Sequence, residues 1–460
     1  MDISNLKRAL FQELGDDVVS DDSALLNSHD GDWSEAPRHA PELLLQPRCP
    51  AQVATALAIL NRLGQPVVIQ GGLTGLAGGA TPQQGEVAMS LSRLNRIEAF
   101  DALGGTVTVQ AGVTLEQVQE HVEGQGWIFP LDLGARGSCQ LGGNAATNAG
   151  GNRVLRYGTM RERVLGLEVV LPDGTLLPML GSVRKDTTGI DLKHLFIGAE
   201  GTIGVITRLV LALAPKPKAT QTALCACSSF EASARLLVLL KRALPGLSAF
   251  ELMWEGFVAA AVEMLGMPWP FATRSSVYVL IEVHGQDDVT DRTILETSLA
   301  EALEADLVDD VIVAQSIADA SRLWTYREAV GELLGRLKPF AAFDLGVPLP
   351  QMESLVATLR ETLGRTYPGM RHLFFGHLGD GNLHVLSGPC ASDEQRQRIE
   401  RTVYEATAKA DGRISAEHGI GVLKLDSLSL SRSAPELELM RRIKNVVDPH
   451  AILNRGRVLE

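Results

Sequence analysis

Gly137-Ser-Cys-Gln-Leu-Gly-Gly-Asn-Ala-Ala-Thr-Asn-Ala-Gly-Gly151 has almost no bulky side chain and is dense in small amides and hydroxyls. A core helix is not built this way, because each glycine costs about 1 kcal/mol against alanine. Backbone laid against a flat polar ring system accounts for the composition. Two further glycine runs flank it. Gly71-Gly-Leu-Thr-Gly-Leu-Ala-Gly-Gly79 directly follows an apolar strand expected at Pro66-Val-Val-Ile69. Its N–H groups are open to an anion such as a pyrophosphate. It is not a Walker loop, because no Lys-Ser/Thr follows the last glycine, and its spacing is not the Rossmann fingerprint. By itself a structural turn explains it equally well. Gly198-Ala-Glu-Gly-Thr-Ile-Gly204 runs into Val205-Ile206-Thr207. Three such loops in one region point to a large cofactor with phosphates and a ring.

Two later segments carry a different chemistry: His377-Leu-Gly-Asp-Gly-Asn-Leu-His384 and Ser415-Ala-Glu417-His418-Gly-Ile-Gly421. They offer two imidazoles, a carboxylate and a third imidazole beside it. In one straight strand residues seven apart face opposite sides. Gly379-Asp380-Gly381 lies midway and favours a tight turn, which brings His377 and His384 to one point. Two histidines and one carboxylate form the open pattern of a catalytic metal, with positions left for water or substrate. The competing reading is that of solvated turn histidines.

The 460 residues suggest two or three domains. An apolar content of 45% and a charged content of 21% are ordinary for a soluble globular chain. The net charge of −13 makes nucleic acid or an anionic membrane an unsuitable partner, so an anionic substrate needs local positive groups. Cys49, Cys139, Cys225, Cys227 and Cys390 form no disulfide framework, and Cys225-Ala-Cys227 is too close for a C-x-x-C motif. Reduced thiols, no signal peptide and no apolar run of about 20 residues lead to the expectation of a cytoplasmic chain. The cysteines are too few for an internal iron–sulfur cluster.

Leu6, Leu10 and Leu14 recur at helical spacing. From about residue 41 short strands alternate with helices. Ala51–Leu63 reads as a helix, and Thr106–Val109 and Leu167–Leu171 as strands. Pro215-Lys-Pro-Lys218 reads as a linker, since prolines two apart break both helix and sheet. Beyond it, longer helices at about 230–243 and 291–305 alternate with strands such as Val277–Val283. This is the texture of a second, α+β domain. A last helix is expected over 432–447. No internal repeat is visible.

The chain resembles the flavin-dependent D-2-hydroxy acid dehydrogenases of the vanillyl-alcohol oxidase fold superfamily, nearest to D-2-hydroxyglutarate dehydrogenases, with D-lactate dehydrogenases nearby. The resemblance rests on Gly142–Gly151, Leu155-Arg-Tyr-Gly158, Lys185-Asp-Thr-Thr-Gly-Ile-Asp-Leu192, Phe196–Gly204 and the two histidine segments. It implies an α+β fold in four parts: an N-terminal helical segment over 1–40, a PCMH-type FAD-binding domain over 41–215, an α+β substrate (cap) domain with an antiparallel sheet over 219–412, and a helical segment over 413–460 returning to the flavin. It implies that Gly71, Gly72, Leu73, Thr74 and Gly75 bind the FAD pyrophosphate. Ser138, Gly142, Asn144, Thr147, Asn148 and Gly151 would line the flavin, with Glu200, Gly201, Ile206 and Asn454 also at the cofactor. No histidine lies between residues 66 and 80, so non-covalent FAD is expected. The resemblance further implies that His377, His384 and Glu417 hold a divalent metal, zinc first, with iron and manganese open. His418 would be the base and Arg327 the clamp on the substrate carboxylate.

The implied chemistry is coherent. Oxidising a 2-hydroxy acid removes the hydroxyl proton and moves the C2 hydride to the flavin. A positioned histidine base contributes roughly 10²–10⁴-fold, and a guanidinium fork suits a carboxylate. From the residues alone, Arg327 in Trp324-Thr-Tyr-Arg327-Glu reads equally as a helix ion-pair partner of Glu328 or a neighbour. Three positions depart from the hydroxyglutarate pattern: Ala342 stands for a lysine, Gly331 for a threonine and Leu386 for an asparagine. All three remove polar contacts and favour a smaller or less polar acid. The tail reads Asn454-Arg-Gly-Arg457 in place of Asn-Pro-Gly-Lys. The expected partners are a small 2-hydroxy acid, an external acceptor such as an electron-transfer flavoprotein or a quinone-linked protein, and, in a homodimer, a second copy. The competing readings are an oxygen-using oxidase of the same fold, a flavin-free zinc hydrolase and a non-catalytic flavin subunit.

Overall fold

A computed structural model describes residues 3–459. The chain divides into two compact units. One comprises the residues up to Gly151, Gly158–Lys216 and the stretch from Glu417 onward; the other comprises Asn152–Tyr157 and Pro217–Ala416.

In the first unit the N-terminal helix Ile3–Leu14 buries Leu6 and Leu10. The helix Pro50–Leu63 starts with proline in its first turn and stops at Gly64, which takes the left-handed conformation at φ 64°. A four-stranded sheet runs in the order Val19–Ser20, Leu44–Leu45, Val87–Ser90, Val67–Gln70. Its last three strands are parallel. A five-stranded antiparallel sheet runs Ile97–Asp101, Thr106–Gln110, Val205–Ala212, Val164–Val170, Leu176–Met179. The core takes residues from both, including Val67, Met89, Val109, Leu167 and Leu209, together with Ile452 and Leu453 from the C-terminal stretch. Leu453 bridges to Val67, so the first sheet is completed by late residues.

The second unit is built on a seven-stranded antiparallel sheet. Its order is Asp310–Val313, Ala219–Cys227, Val277–Gly285, Leu247–Trp254, Arg371–His377, Asn382–Gly388, Ala341–Gly346. The inner strands are buried on both faces, hence their continuous apolar runs. The segment Asn152–Tyr157 belongs here through its side chains. Arg153 Nε donates to Glu282 Oε1 at 3.0 Å. The Tyr157 hydroxyl lies 3.0 Å from His284 Nδ1. Arg156 donates to the carbonyls of Gly246 and His284. Among the described residues no helix is long and apolar enough to cross a membrane.

Candidate active site

The strands Arg371–His377 and Asn382–Gly388 form a hairpin around the Gly379-Asp380-Gly381 turn. Phe375 pairs with His384 and His377 with Asn382, so His377 and His384 fall on one face. Their Nε2 atoms are 3.4 Å apart. Two imidazole nitrogens about 2.0–2.1 Å from a tetrahedral zinc stand roughly 3.3–3.4 Å apart, so the pair fits a metal ion.

Behind His377 lies Glu251, which sequence reasoning missed. It sits in the middle of the sheet, opposite His377 in register, and is completely buried. Its Oε1 is 2.7 Å from His377 Nδ1, and its Oε2 accepts from Arg327 Nε at 2.8 Å. Burial pushes this carboxyl up, but His377 and Arg327 outweigh burial and hold it below the usual carboxylate range. An ionised carboxylate only accepts, so His377 donates through Nδ1, and in the neutral ring it is Nε2 that keeps the lone pair. The signal was present: a lone acid in the apolar strand Leu-Ser-Ala-Phe-Glu251-Leu-Met-Trp needs buried partners.

Arg327 closes a circuit. Its guanidinium carbon lies 4.9 Å from the Phe375 ring centroid, and the Phe375 ring lies 5.0 Å from that of His384. The sequence offered Glu328 as the ion-pair partner; the structure gives Glu251, 76 positions away. Among the described residues neither Nη1 nor Nη2 meets a protein acceptor, although the residue is only 6% exposed. A guanidinium anchored through Nε with its fork available can receive a carboxylate. On the same face Ala342 pairs directly with Leu386, two of the three positions that depart from the hydroxyglutarate pattern. At the third, Gly331, a Cβ would meet nothing within 4 Å.

Asp344, also missed, is fully buried and lies opposite His384. Its Oδ1 accepts from Asn382 Nδ2 at 2.9 Å and its Oδ2 from the Ala416 amide at 3.1 Å. Ala416 is the residue before Glu417, so this hydrogen bond fixes the chain one residue short of it.

In the first unit Glu417 Oε1 accepts from the Gly151 amide at 2.5 Å. The loop after His418 is pinned by Glu200, whose Oε1 accepts from Ile420 N at 2.7 Å and Oε2 from Gly421 N at 2.9 Å. Burial raises the Glu200 carboxyl against the pull of these amides. Gly419 is required there: at φ 79° a Cβ would stand 2.8 Å from Glu200 Cδ.

The three glycine loops are in this unit. Gly72 packs so closely under the Ser138 carbonyl that a Cβ would stand 1.9 Å from its oxygen. Gly71 faces Gly143 and Gln140, while a Cβ on Gly143 itself would meet nothing within 4 Å. Gln140 Oε1 is buried without a protein partner. Leu73, Asn148, Glu200 and Asn454 all have positive φ, a strained backbone that clusters at functional sites. Gly142 packs on Ala111. Thr147 Oγ1 donates to the Gly143 carbonyl at 3.1 Å, and Asn144 Nδ2 reaches Cys139 Sγ at 3.6 Å. Asn148 Oδ1 accepts from Thr159 and Arg161. Asn454 ties Ile69 N to the Glu200 carbonyl. Gly201 lies beside Asn454 and Ile69, and Ile206 is in the core. Thr74 and Gly75 lie at the surface end of the loop, where Gly75 approaches Asp32. An open glycine surface beside an unsatisfied buried amide oxygen fits a cofactor with a polar ring.

Two family models match the chain: an FAD binding domain over residues 41–179 and the C-terminal domain of FAD linked oxidases over residues 216–458. The chain is 41% identical over 450 residues to a probable mitochondrial D-2-hydroxyglutarate dehydrogenase of Oryza sativa subsp. indica, covering 97% of this chain and 80% of that protein. It is 37% identical to a putative mitochondrial D-lactate dehydrogenase of Schizosaccharomyces pombe, covering 94% and 85%. Among solved structures, p-cresol methylhydroxylase superposes with a TM-score of 0.81 at 16% identity, over 99% of this chain and 97% of that one. It shares the PCMH-type fold, mixed helix and antiparallel sheet.

One expectation is corrected. The cytoplasmic location is overturned by relatives named as mitochondrial. Composition and thiol content are bulk properties, whereas an address is read by a receptor from a short signal. The chain belongs to the FAD-dependent D-2-hydroxy acid dehydrogenases, the family of D-2-hydroxyglutarate and D-lactate dehydrogenases.

Proposed function

We propose that this chain oxidises a D-2-hydroxy acid to the 2-oxo acid, with FAD held by the region 41–215 and the acid held by the region 219–412. The observation that carries this reading is the His377–His384 pair, with Nε2 atoms 3.4 Å apart, beside the Arg327 fork. His377, His384 and Glu417 are the proposed ligands of a divalent metal, zinc first. Such an ion would acidify an alcohol bound to it. When bound, the flavin supplies the acceptor for the C2 hydride.

The chain's own residues do the rest. Arg327 receives the substrate carboxylate on its Nη atoms and fixes which end of the molecule points to the histidines. His418 takes the hydroxyl proton. Its place next to Glu417, on a loop pinned by Glu200, supports that role. The glycine loop 71–75 would hold the pyrophosphate, and Gly143 and Gln140 would line the ring.

The side chain of the acid is smaller or less polar than that of hydroxyglutarate. Ala342 pairs with Leu386 on the strand that carries His384, and neither side chain offers a hydrogen bond. Electrons leave to an external protein acceptor, because the five free cysteines, two of them the closely spaced Cys225 and Cys227, do not suit an internal iron–sulfur cluster. The absorbance spectrum of the purified protein, followed by anaerobic titration with D-lactate and D-2-hydroxyglutarate, tests the whole reading. Oxidised-flavin bands should bleach with the D-acid and not with its L-enantiomer, and D-lactate should be the better reductant. Flavin that no D-2-hydroxy acid bleaches, or rapid reoxidation by oxygen in stopped flow, would overturn it.

A further inference from the structure

We propose that Glu251 is a positioning residue that couples the metal ligand His377 to the substrate clamp Arg327. The inference rests on the reading that His377 and His384 hold a metal.

The geometry is that of one carboxylate with two obligations. Oε1 faces His377 Nδ1 at 2.7 Å and Oε2 faces Arg327 Nε at 2.8 Å. Both partners must donate, so Glu251 decides two things together. It selects the His377 tautomer whose Nε2 lone pair faces His384. It also locks the Arg327 plane through Nε, leaving the Nη edge for an incoming carboxylate. The two arms close on themselves through Phe375, which stacks under Arg327 and against His384. A shift of either arm is therefore felt by the other, and linkage makes the effect reciprocal.

An amide in place of the carboxylate cannot serve both donors. In Glu251→Gln the amide oxygen accepts from one, while the NH₂ group meets the other. Either Arg327 loses its anchor, or His377 moves its proton to Nε2 and withdraws the lone pair. Loss of a carboxylate behind a metal-bound histidine typically lowers metal affinity about 10–100-fold.

The experiment uses the full FAD-loaded chain. Zinc affinity is measured by competition with a chromophoric chelator for the wild type, His384→Ala, Glu251→Gln and Arg327→Lys, and KM and kcat are measured for the preferred D-2-hydroxy acid. Glu251→Gln should lower zinc affinity about 10–100-fold and raise KM together, with the flavin spectrum unchanged. Arg327→Lys should raise KM and lower zinc affinity in the same direction, though less than Glu251→Gln. Wild-type zinc affinity in Glu251→Gln, with His384→Ala devoid of zinc, would overturn the coupling and leave the metal reading intact. Equal zinc binding by wild type and His384→Ala would sink both. If Glu251→Gln loses its flavin, Glu251→Asp replaces it. Aspartate keeps the charge but falls one methylene short of both donors, and the same paired loss is expected; unchanged affinity and KM there would also overturn the proposal.

Discussion

The carboxylate of Asp344 accepts the amide of Ala416 at 3.1 Å, one residue before Glu417. Its other oxygen accepts from Asn382 Nδ2. In Asp344→Asn one acceptor becomes a donor facing another donor. The expected cost is about 1–3 kcal/mol of stability, read as a lower urea midpoint at unchanged m-value. Metal content should fall as well, because the segment leading to Glu417 loses its anchor. A variant with the wild-type midpoint and metal content would remove Asp344 from the support of the site.

His418→Ala should keep flavin colour and metal content while turnover drops by roughly 10²–10⁴. Glu417→Ala should lose metal instead, measured by elemental analysis of the desalted protein. The two adjacent substitutions thus separate proton transfer from ligation. Retained turnover in the first, or unchanged metal in the second, would reverse the assignment.

Two glycines of the first unit should respond oppositely to alanine. At Gly72 a Cβ would stand 1.9 Å from the Ser138 oxygen, so Gly72→Ala must move backbone and should fold poorly. At Gly143 no atom lies within 4 Å of a Cβ. Gly143→Ala should keep its thermal midpoint as apoprotein and bind FAD more weakly, as read by flavin fluorescence on titration. Unaltered FAD affinity there would move the ring elsewhere.

Glu282 should make the second unit acid-sensitive. Burial pushes its carboxyl up, but the hydrogen bond from His284 and the charges of Arg153 and His284 prevail and bring it down to about 2. A carboxyl depressed in the folded state stabilises fully above its unfolded pKa of about 4.3. That stabilisation is lost as pH falls from there through about 2. Glu282→Gln should therefore be less stable than wild type at pH 7, with a gap that narrows between pH 4 and pH 2. A gap independent of pH in denaturant melts would show that the carboxylate does not titrate with folding.

Much of this architecture was legible because it is local. Proline at the start and glycine at the end bracket the helix Pro50–Leu63, and the Gly-Asp-Gly turn folds His377 back on His384. What could not be read is long-range pairing. Nothing near Arg327 in sequence says that its partner is Glu251 rather than Glu328, and nothing near His377 names a carboxylate 126 positions earlier. Asn454 likewise bonds Ile69 N and the Glu200 carbonyl, at separations of 385 and 254 that no local pattern reveals. Periodicity and turn chemistry describe a strand or a loop; which buried acid meets which base is decided by sheet order, which no local pattern encodes.

The chain changes unit four times, after Gly151, Tyr157, Lys216 and Ala416. Neither unit is therefore one uninterrupted length of polypeptide. As the chain leaves the ribosome, the Val67–Leu453 bridge can form only after the whole of Pro217–Ala416 has been made. Severing the polypeptide at Lys216 would leave the later fragment without the Arg153 and Tyr157 that cover Glu282 and His284, and the earlier one without its closing residues.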